Sequence, residues 1–188
     1  MSKVLILFAH PALEKSRVHT RLIESVLSIE DVTFHDLYEN YPDLDIDVSK
    51  EQQLLLNHDI IIWQHPFYWY SSPAIIKQWQ DLVLEHGWAY GSEGKMLAGK
   101  YIFNAISCGG PKEVYTKEGR NRFTIRELLA PFVVHGTHRL STNDIDMYAE
   151  QYRQLITALV NNQISKNDWQ HATYLNELCS IPEKVLSI

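Results

Sequence analysis

Three apolar runs constrain this chain more than anything else in it: VLILFA from Val4, DIIIWQ from Asp59 and KYIFNAIS from Lys100. None alternates apolar with polar residues, as a strand with one wet face would, so each reads as a strand buried on both faces. Strands of that kind belong to parallel sheets covered by helices on both sides. Helical patterns fall between them at Ser16 to Leu27, Ser49 to Asn57 and Pro73 to Glu85, each opened by Ser or by Pro near its first turn. With VTFHDL from Val32 as the second strand, the order becomes β-α-β-α-β-α-β, an α/β succession. Phe132 to His135 supplies a last strand. Asp144 to Val160 forms an amphipathic closing helix with Ile145, Tyr148, Tyr152, Leu155, Ile156 and Leu159 on its apolar side.

With 188 residues and 45% hydrophobic content, the chain fills one core and has no interdomain linker, repeat or low-complexity segment. Residues 1–160 are expected to form the domain. Residues 161–188 form a polar tail with scattered Trp169, Tyr174 and Leu178, expected to pack on a partner or stay flexible. A net charge of -6 without any run of Lys or Arg leaves no electrostatic footprint for nucleic acid or an anionic membrane surface. The opening MSKVLILFAHP reads as a strand and lacks a signal peptide's cleavage site. No stretch approaches the roughly 20 apolar residues that cross a bilayer. Cys108 and Cys179 lie far apart without a CxxC pattern, which points to a reducing compartment and so to the cytoplasm.

In an open parallel sheet, ligands bind beyond the carboxyl ends of the strands, so the residues after each apolar run matter most. After the first run, HPALEKSRVH from His10 offers backbone N–H groups at a helix start, the Ser16 hydroxyl, Arg17 and the imidazoles of His10 and His19, an inventory suited to a phosphate monoester. Taken singly, Ser16 is also a plain N-cap and His10 a polar strand end. Neither GxGxxG nor GxxxxGK[ST] is present, which leaves a flavodoxin-type phosphate loop. After the third strand, Phe67, Tyr68, Trp69 and Tyr70 are four consecutive aromatics able to flank a planar ring, or else to pack a loop or a dimer contact. After the fourth, Ser107, Cys108, Gly109 and Gly110 let the backbone approach a ligand closely, though Gly-Gly-Pro is commonly just a turn. The long polar loop CGGPKEVYTKEGRNR continues from there into a helical stretch through Ile125, Leu128 and Leu129, and carries Tyr115 as a candidate hydrogen-bond donor. All three segments fall at strand ends of one α/β succession, and together they describe a cradle for FMN.

Read together, HPALEKSRVH, QHPFYWYSSPAIIKQWQDLVLEHGWAYGSEGKMLAGK, SCGGPKEVY and HDLYENYPDLDID resemble the flavodoxin-like NAD(P)H:quinone oxidoreductases over about residues 3 to 160. The bacterial general-stress-type oxidoreductases and the ancillary flavoproteins of glutathione-gated potassium efflux systems are the members they are most similar to. The resemblance implies a flavodoxin-like doubly wound five-stranded parallel sheet with helices on both faces. It also implies a homodimer that binds FMN rather than FAD and uses NAD(P)H as co-substrate. Hydride would pass to a quinone-like acceptor in a ping-pong cycle, one pocket serving donor and acceptor in turn.

By motif position, His10 and Ser16, Arg17, Val18 and His19 would hold the flavin phosphate and ribityl end. Phe67, Tyr68, Trp69 and Tyr70 would contact the isoalloxazine, Ser107 to Gly110 its polar edge, and Tyr115 would lie near the transferred hydride. Asn121 stands where some members have a His six residues after the loop Tyr, so of that relay only Tyr115 carries over. His19 stands where Asn is common, the stretch from Leu129 to His135 is shorter than in relatives, and the tail after Asn161 has no recognised counterpart.

Other chemistries find little anchor. His135 and His138 lack a carboxylate or Cys at ligand spacing, so no metal site is expected. No GxSxG elbow is present, and acidic residues are too dispersed for paired-carboxylate chemistry. A one-electron flavodoxin carrier is disfavoured because such relatives are strongly acidic and need no nicotinamide pocket. The competing role is regulatory: a flavoprotein that binds a potassium-efflux membrane protein, held at the inner membrane through that partner.

Overall fold

The first strand, β1 (Val4–Phe8), sends Val4 and Ile6 to one face of a sheet and Leu5 and Leu7 to the other, with every side chain fully buried. That two-sided burial follows from its place in a five-stranded parallel sheet of order β2-β1-β3-β4-β5. The other strands are β2 (Val32–Asp36), β3 (Ile60–Pro66), β4 (Tyr101–Ser107) and β5 (Phe132–Val134). The computed structural model describes residues 1–69, 71–115, 131–137, 139–165, 168 and 172–179, with backbone only for Val114 and Tyr115. Tyr70, Asn121, the expected helical stretch through Ile125, Leu128 and Leu129, His138 and Trp169 lie outside the described residues, as does most of the segment read as shortened.

Helices cover both faces. On one, α1 (Arg17–Val26) and α5 (Thr142–Val160) bring Val18, Leu22, Val26, Tyr152, Ile156 and Leu159 onto Val4, Ile6, Ile60 and Ile62. On the other, α2 (Leu37–Asn40), α3 (Val48–Leu56) and α4 (Ala74–Val83) bring Leu37, Leu55, Ile75, Ile76 and Trp79 onto Leu5, Leu7 and Ile61. At roughly 1.5–3 kcal/mol for each fully buried large apolar side chain, these two layers are the main source of stability.

The expected strands all form, while two helix starts shift. Ser49 does not open α3; the Asp47 carboxylate accepts from the Lys50 N–H at 3.0 Å, and Ser49 falls inside the first turn. The closing helix begins before Asp144, because Ser141 and Asp144 form a reciprocal capping box that makes Asp144 the third helical residue. A buried carboxylate ties the second layer together. Glu51 on α3 accepts from Tyr41 Oη at 2.6 Å and Trp79 Nε1 at 2.8 Å, and meets His35 Nε2 at 2.7 Å.

Part of the tail has a definite place. Leu175 is buried in the α1/α5 layer and donates its N–H to Pro131 O at 2.9 Å. Asn176 spans Val133 at the free edge of the sheet: its Oδ1 accepts from the Val133 N–H at 2.9 Å, and its Nδ2 donates to the Val133 carbonyl at 3.3 Å. Residues 172–179, expected to face a partner or stay loose, therefore pack on this chain's own last strand. Among the described residues no helix is long and apolar enough to cross a membrane.

Candidate functional site

With β1, β3 and β4 adjacent and parallel, the three segments singled out in the sequence emerge at one edge of the sheet. A line of side chains joins them. The His10 ring meets the Tyr68 ring edge-on at 6.3 Å and the His19 ring at 5.4 Å, and His19 Nε2 lies 2.9 Å from Ser107 Oγ. The structure thus brings together residues that follow three different strands.

The β1-end segment is built around the start of α1. Ser16 caps the helix by accepting the His19 N–H at 3.2 Å, and the first turn contains no acidic residue. Arg17 spends one of its five N–H donors on the Leu140 carbonyl at 3.4 Å. Val18 turns its side chain into the core, so only its backbone can serve a ligand. The Ala12 N–H donates to His10 Nδ1 at 3.1 Å, which puts the proton of the neutral ring on Nε2. Burial lowers the His10 pKa, against the opposing charge of Glu14.

His19 does not reach the surface. Its ring is 0% exposed and packs on Phe8, and burial, reinforced by His10 and His65, depresses its pKa to about 3. Its Nε2 faces Ser107 Oγ, and its backbone N–H is held by the Ser16 cap. His65 is also kept neutral by burial, with Nδ1 donating to the Pro66 carbonyl at 2.9 Å.

The β3-end loop is a tight turn in which Tyr68 and Ser71 exchange backbone hydrogen bonds of 3.1 and 2.9 Å. Trp69 stands at its tip with φ of 50°, the left-handed region, and is 94% exposed; Tyr68 is 41% exposed. A large aromatic held outward at a strained position is not a core residue, and its free face suits stacking on a flat ring. Phe67 turns the other way and packs against Ile106, Cys108 and Val133, and its N–H donates to the Ser107 carbonyl at 2.8 Å.

The β4-end loop is braced by residues that sequence reasoning left out. The Cys108 N–H donates to the Val134 carbonyl at 2.8 Å, the Gly136 N–H to the Gly110 carbonyl at 2.9 Å, and the Thr137 N–H to the Cys108 carbonyl at 3.4 Å. Gly136 has φ of 65°, which glycine adopts without strain, and its place straight after a strand was the available signal. Cys108 points inward, and burial pushes its thiol up to about 12, so its backbone alone faces the loop. Gly109 is exposed at the turn. Tyr115 ends a short 3-10 turn, Lys112–Tyr115, that continues this loop. Tyr152 on α5 donates its hydroxyl to Gln64 Oε1 at 2.7 Å.

The arrangement fits an anionic ligand with a planar ring. A helix start with a hydroxyl, a guanidinium and the amides that precede His19 suits a phosphate, and the outward aromatics suit the ring. Buried polar atoms without a protein partner remain nearby at His19 Nδ1 and Gln64 Nε2. Among the described residues no His, Cys, Asp and Glu group is set to hold a metal.

The β2-β1-β3-β4-β5 order of the parallel sheet, with helices on both faces, defines a flavodoxin-type α/β protein. Sequence comparison agrees: the chain belongs to the family described as having the flavodoxin-like fold, whose profile matches residues 2–151. It is 44% identical over 164 residues to the NAD(P)H oxidoreductase YrkL of Bacillus subtilis, covering 79% of this chain and 94% of that protein. It is also 46% identical over 130 residues to the potassium-efflux ancillary protein KefG of Pectobacterium carotovorum, covering 69% of this chain and 71% of KefG. Among solved structures, general stress protein 14 of Treponema denticola, crystallised in complex with FMN, superposes with a TM-score of 0.78 at 36% identity. That match covers 84% of this chain and 99% of the other. An NADPH-quinone reductase from P. pentosaceus superposes with a TM-score of 0.72 at 30% identity, covering 81% and 96%.

Proposed function

We propose that this chain is an FMN-dependent NAD(P)H oxidoreductase that reduces a quinone-like acceptor, working as a cytoplasmic homodimer. The observation that carries the reading is the convergence of three strand-end segments, His10 touching Tyr68 and His19, and His19 bonding Ser107. Similarity to YrkL, to the FMN complex of general stress protein 14 and to the NADPH-quinone reductase supports it. When bound, FMN supplies a two-electron carrier between NAD(P)H and acceptor, and their turn-by-turn use of one pocket makes the cycle ping-pong.

The chain's own residues bind and orient. Ser16, Arg17 and the backbone amide of Val18 would hold the phosphate at the start of α1, with His10 Nε2–H as a further donor and the His19 N–H kept by the Ser16 cap. Phe67 backs the ring-binding loop, while Tyr68 and Trp69, with Tyr70 as the sequence motif implies, would flank the ring. Ser107 and the amides of Gly109 and Gly110 would hold the polar edge, the Cys108 N–H being already taken by the Val134 carbonyl, and Tyr115 would donate a proton to the acceptor.

The test is an absorbance spectrum after FMN reconstitution, followed by anaerobic addition of NADH or NADPH. Bleaching of the bound-flavin bands and their return on adding a quinone is the expected result, and the faster nucleotide is the preferred donor. Failure to retain flavin, or retention without bleaching, overturns the reading. A second reading, regulation of a potassium-efflux membrane protein, is favoured by the identity to KefG. It predicts that the purified chain changes the potassium flux of an efflux protein in vesicles even when Tyr115→Phe has slowed its turnover.

A further inference from the structure

Tyr174 lies beyond the residues that the family profile matches, yet its ring sits behind the candidate site. It meets His135, just past β5, edge-on at 5.8 Å, and the Lys112 ammonium lies 5.0 Å from its ring centroid. The ring also packs on the small cluster of Ile106, Cys108 and Val133, the same cluster that receives Phe67. One side chain from the C-terminal segment therefore touches the end of β5, the loop after β4 and the backing of the loop after β3.

The two residues after Tyr174 fix it there. Leu175 is buried in the core and hydrogen-bonded to Pro131, and Asn176 takes both backbone groups of Val133 as a neighbouring strand would. The cost of ordering the strap is met by these anchors, so the Tyr174 ring arrives preorganised. Lys112 lies between Gly110 and Tyr115, so holding its ammonium over an aromatic face restrains the loop on which the proposed polar-edge contacts depend.

We propose that Tyr174 is a positioning residue for this site, clamping the β4-end loop through Lys112 and His135 from a C-terminal strap. The proposal rests on the functional reading above for the ligand's identity, but its first effect is on the free protein. In Tyr174→Ala, amide hydrogen exchange at Cys108 and Gly136, whose N–H groups brace the loop, rises roughly tenfold while strands β1 and β3 keep their protection. Tyr174→Phe, which keeps the ring over Lys112, restores the slow exchange; Tyr174→Leu, which keeps much of the volume without the ring, does not. In the reconstituted protein, Tyr174→Ala weakens FMN binding roughly tenfold, read by quenching of flavin fluorescence, and Tyr174→Phe restores it.

Unchanged loop exchange in a folded Tyr174→Leu protein overturns the proposal. So does faster exchange spread evenly over the sheet, which would make Tyr174 a core residue only. The exchange arm needs no flavin, so a wild-type chain that fails to bind FMN defeats the functional reading and leaves this test standing.

Discussion

His19 Nε2 and Ser107 Oγ meet at 2.9 Å in the interior, joining the first turn of α1 to the end of β4. The contact links the segments at the ends of β1 and β4 without either imidazole nitrogen reaching solvent. The buried setting, together with the neighbouring imidazoles of His10 and His65, keeps His19 neutral, with a lone pair or an N–H on Nε2 facing the hydroxyl. A charged His19 would have to be desolvated beside a helix N-terminus, where the dipole opposes positive charge.

The protein should therefore lose stability on acidification. His19 has a folded pKa of about 3 against an ordinary value of 6.5, so the unfolded chain binds the extra proton first. Its contribution is fully present above pH 6.5 and is lost as pH falls from there toward 3, at up to about 1.4 kcal/mol per pH unit. The buried His65 shifts in the same direction and adds to the slope. Urea midpoints measured from pH 7.5 to 4.5 should fall, and His19→Asn should flatten the fall. A profile in the variant as steep as in the wild type would show that His19 is not the group being protonated.

Glu51 supports a second prediction. Burial alone would raise its carboxyl, but the hydrogen bonds from His35, Tyr41 and Trp79 outweigh burial and hold it below the ordinary value. Glu51→Leu strands all three of these partners in the interior and should cost about 3–5 kcal/mol; Glu51→Gln, which keeps an acceptor, should cost less. Equilibrium urea unfolding of both variants decides it, and equal losses would mean that the negative charge, which both variants lack, and not a neutral acceptor, is what Glu51 supplies. Since β2, α3 and α4 all converge on this carboxylate, the loss should appear in global unfolding and not in one loop.

Much of this architecture was legible beforehand. A strand buried on both faces has no choice but an apolar run, so Val4 to Phe8 and Ile60 to Ile62 announce themselves, and adjacent parallel strands bring the segments after them together. His19 was harder, because a polar residue in a phosphate-loop segment looks like a ligand; nothing in the sequence says that it turns inward onto Ser107. The strap was invisible for a related reason. Asn176 does a strand's work with a side-chain amide, and Tyr174 binds by edge and cation contacts, neither of which leaves a periodic pattern.

Tyr115 tests the proposed chemistry apart from binding. Its phenol is assigned the proton that the acceptor takes up, so Tyr115→Phe should lower kcat by about 10- to 100-fold at pH 7 and leave the flavin content of the purified protein unchanged. Stopped-flow separation of the two half-reactions locates the defect. A slow acceptor half-reaction with normal flavin reduction is expected, and normal rates in both would remove Tyr115 from the mechanism.

Trp69 gives the sharpest separation of stability from function. An L residue in the left-handed region costs roughly 1–2 kcal/mol, and a ring 94% exposed recovers almost none of that by packing in the free protein. Asn tolerates the same backbone conformation better and adds no glycine-like entropy to the unfolded chain. Trp69→Asn should therefore raise the thermal midpoint of the flavin-free protein by about 1–4 °C. The same change removes the proposed ring platform and should weaken FMN binding by roughly tenfold, or about 1.4 kcal/mol. Opposite signs in the two measurements are the signature of strain kept for a ligand. A lower midpoint would mean that the ring already packs in the free protein, and an unchanged flavin affinity would take Trp69 out of the site.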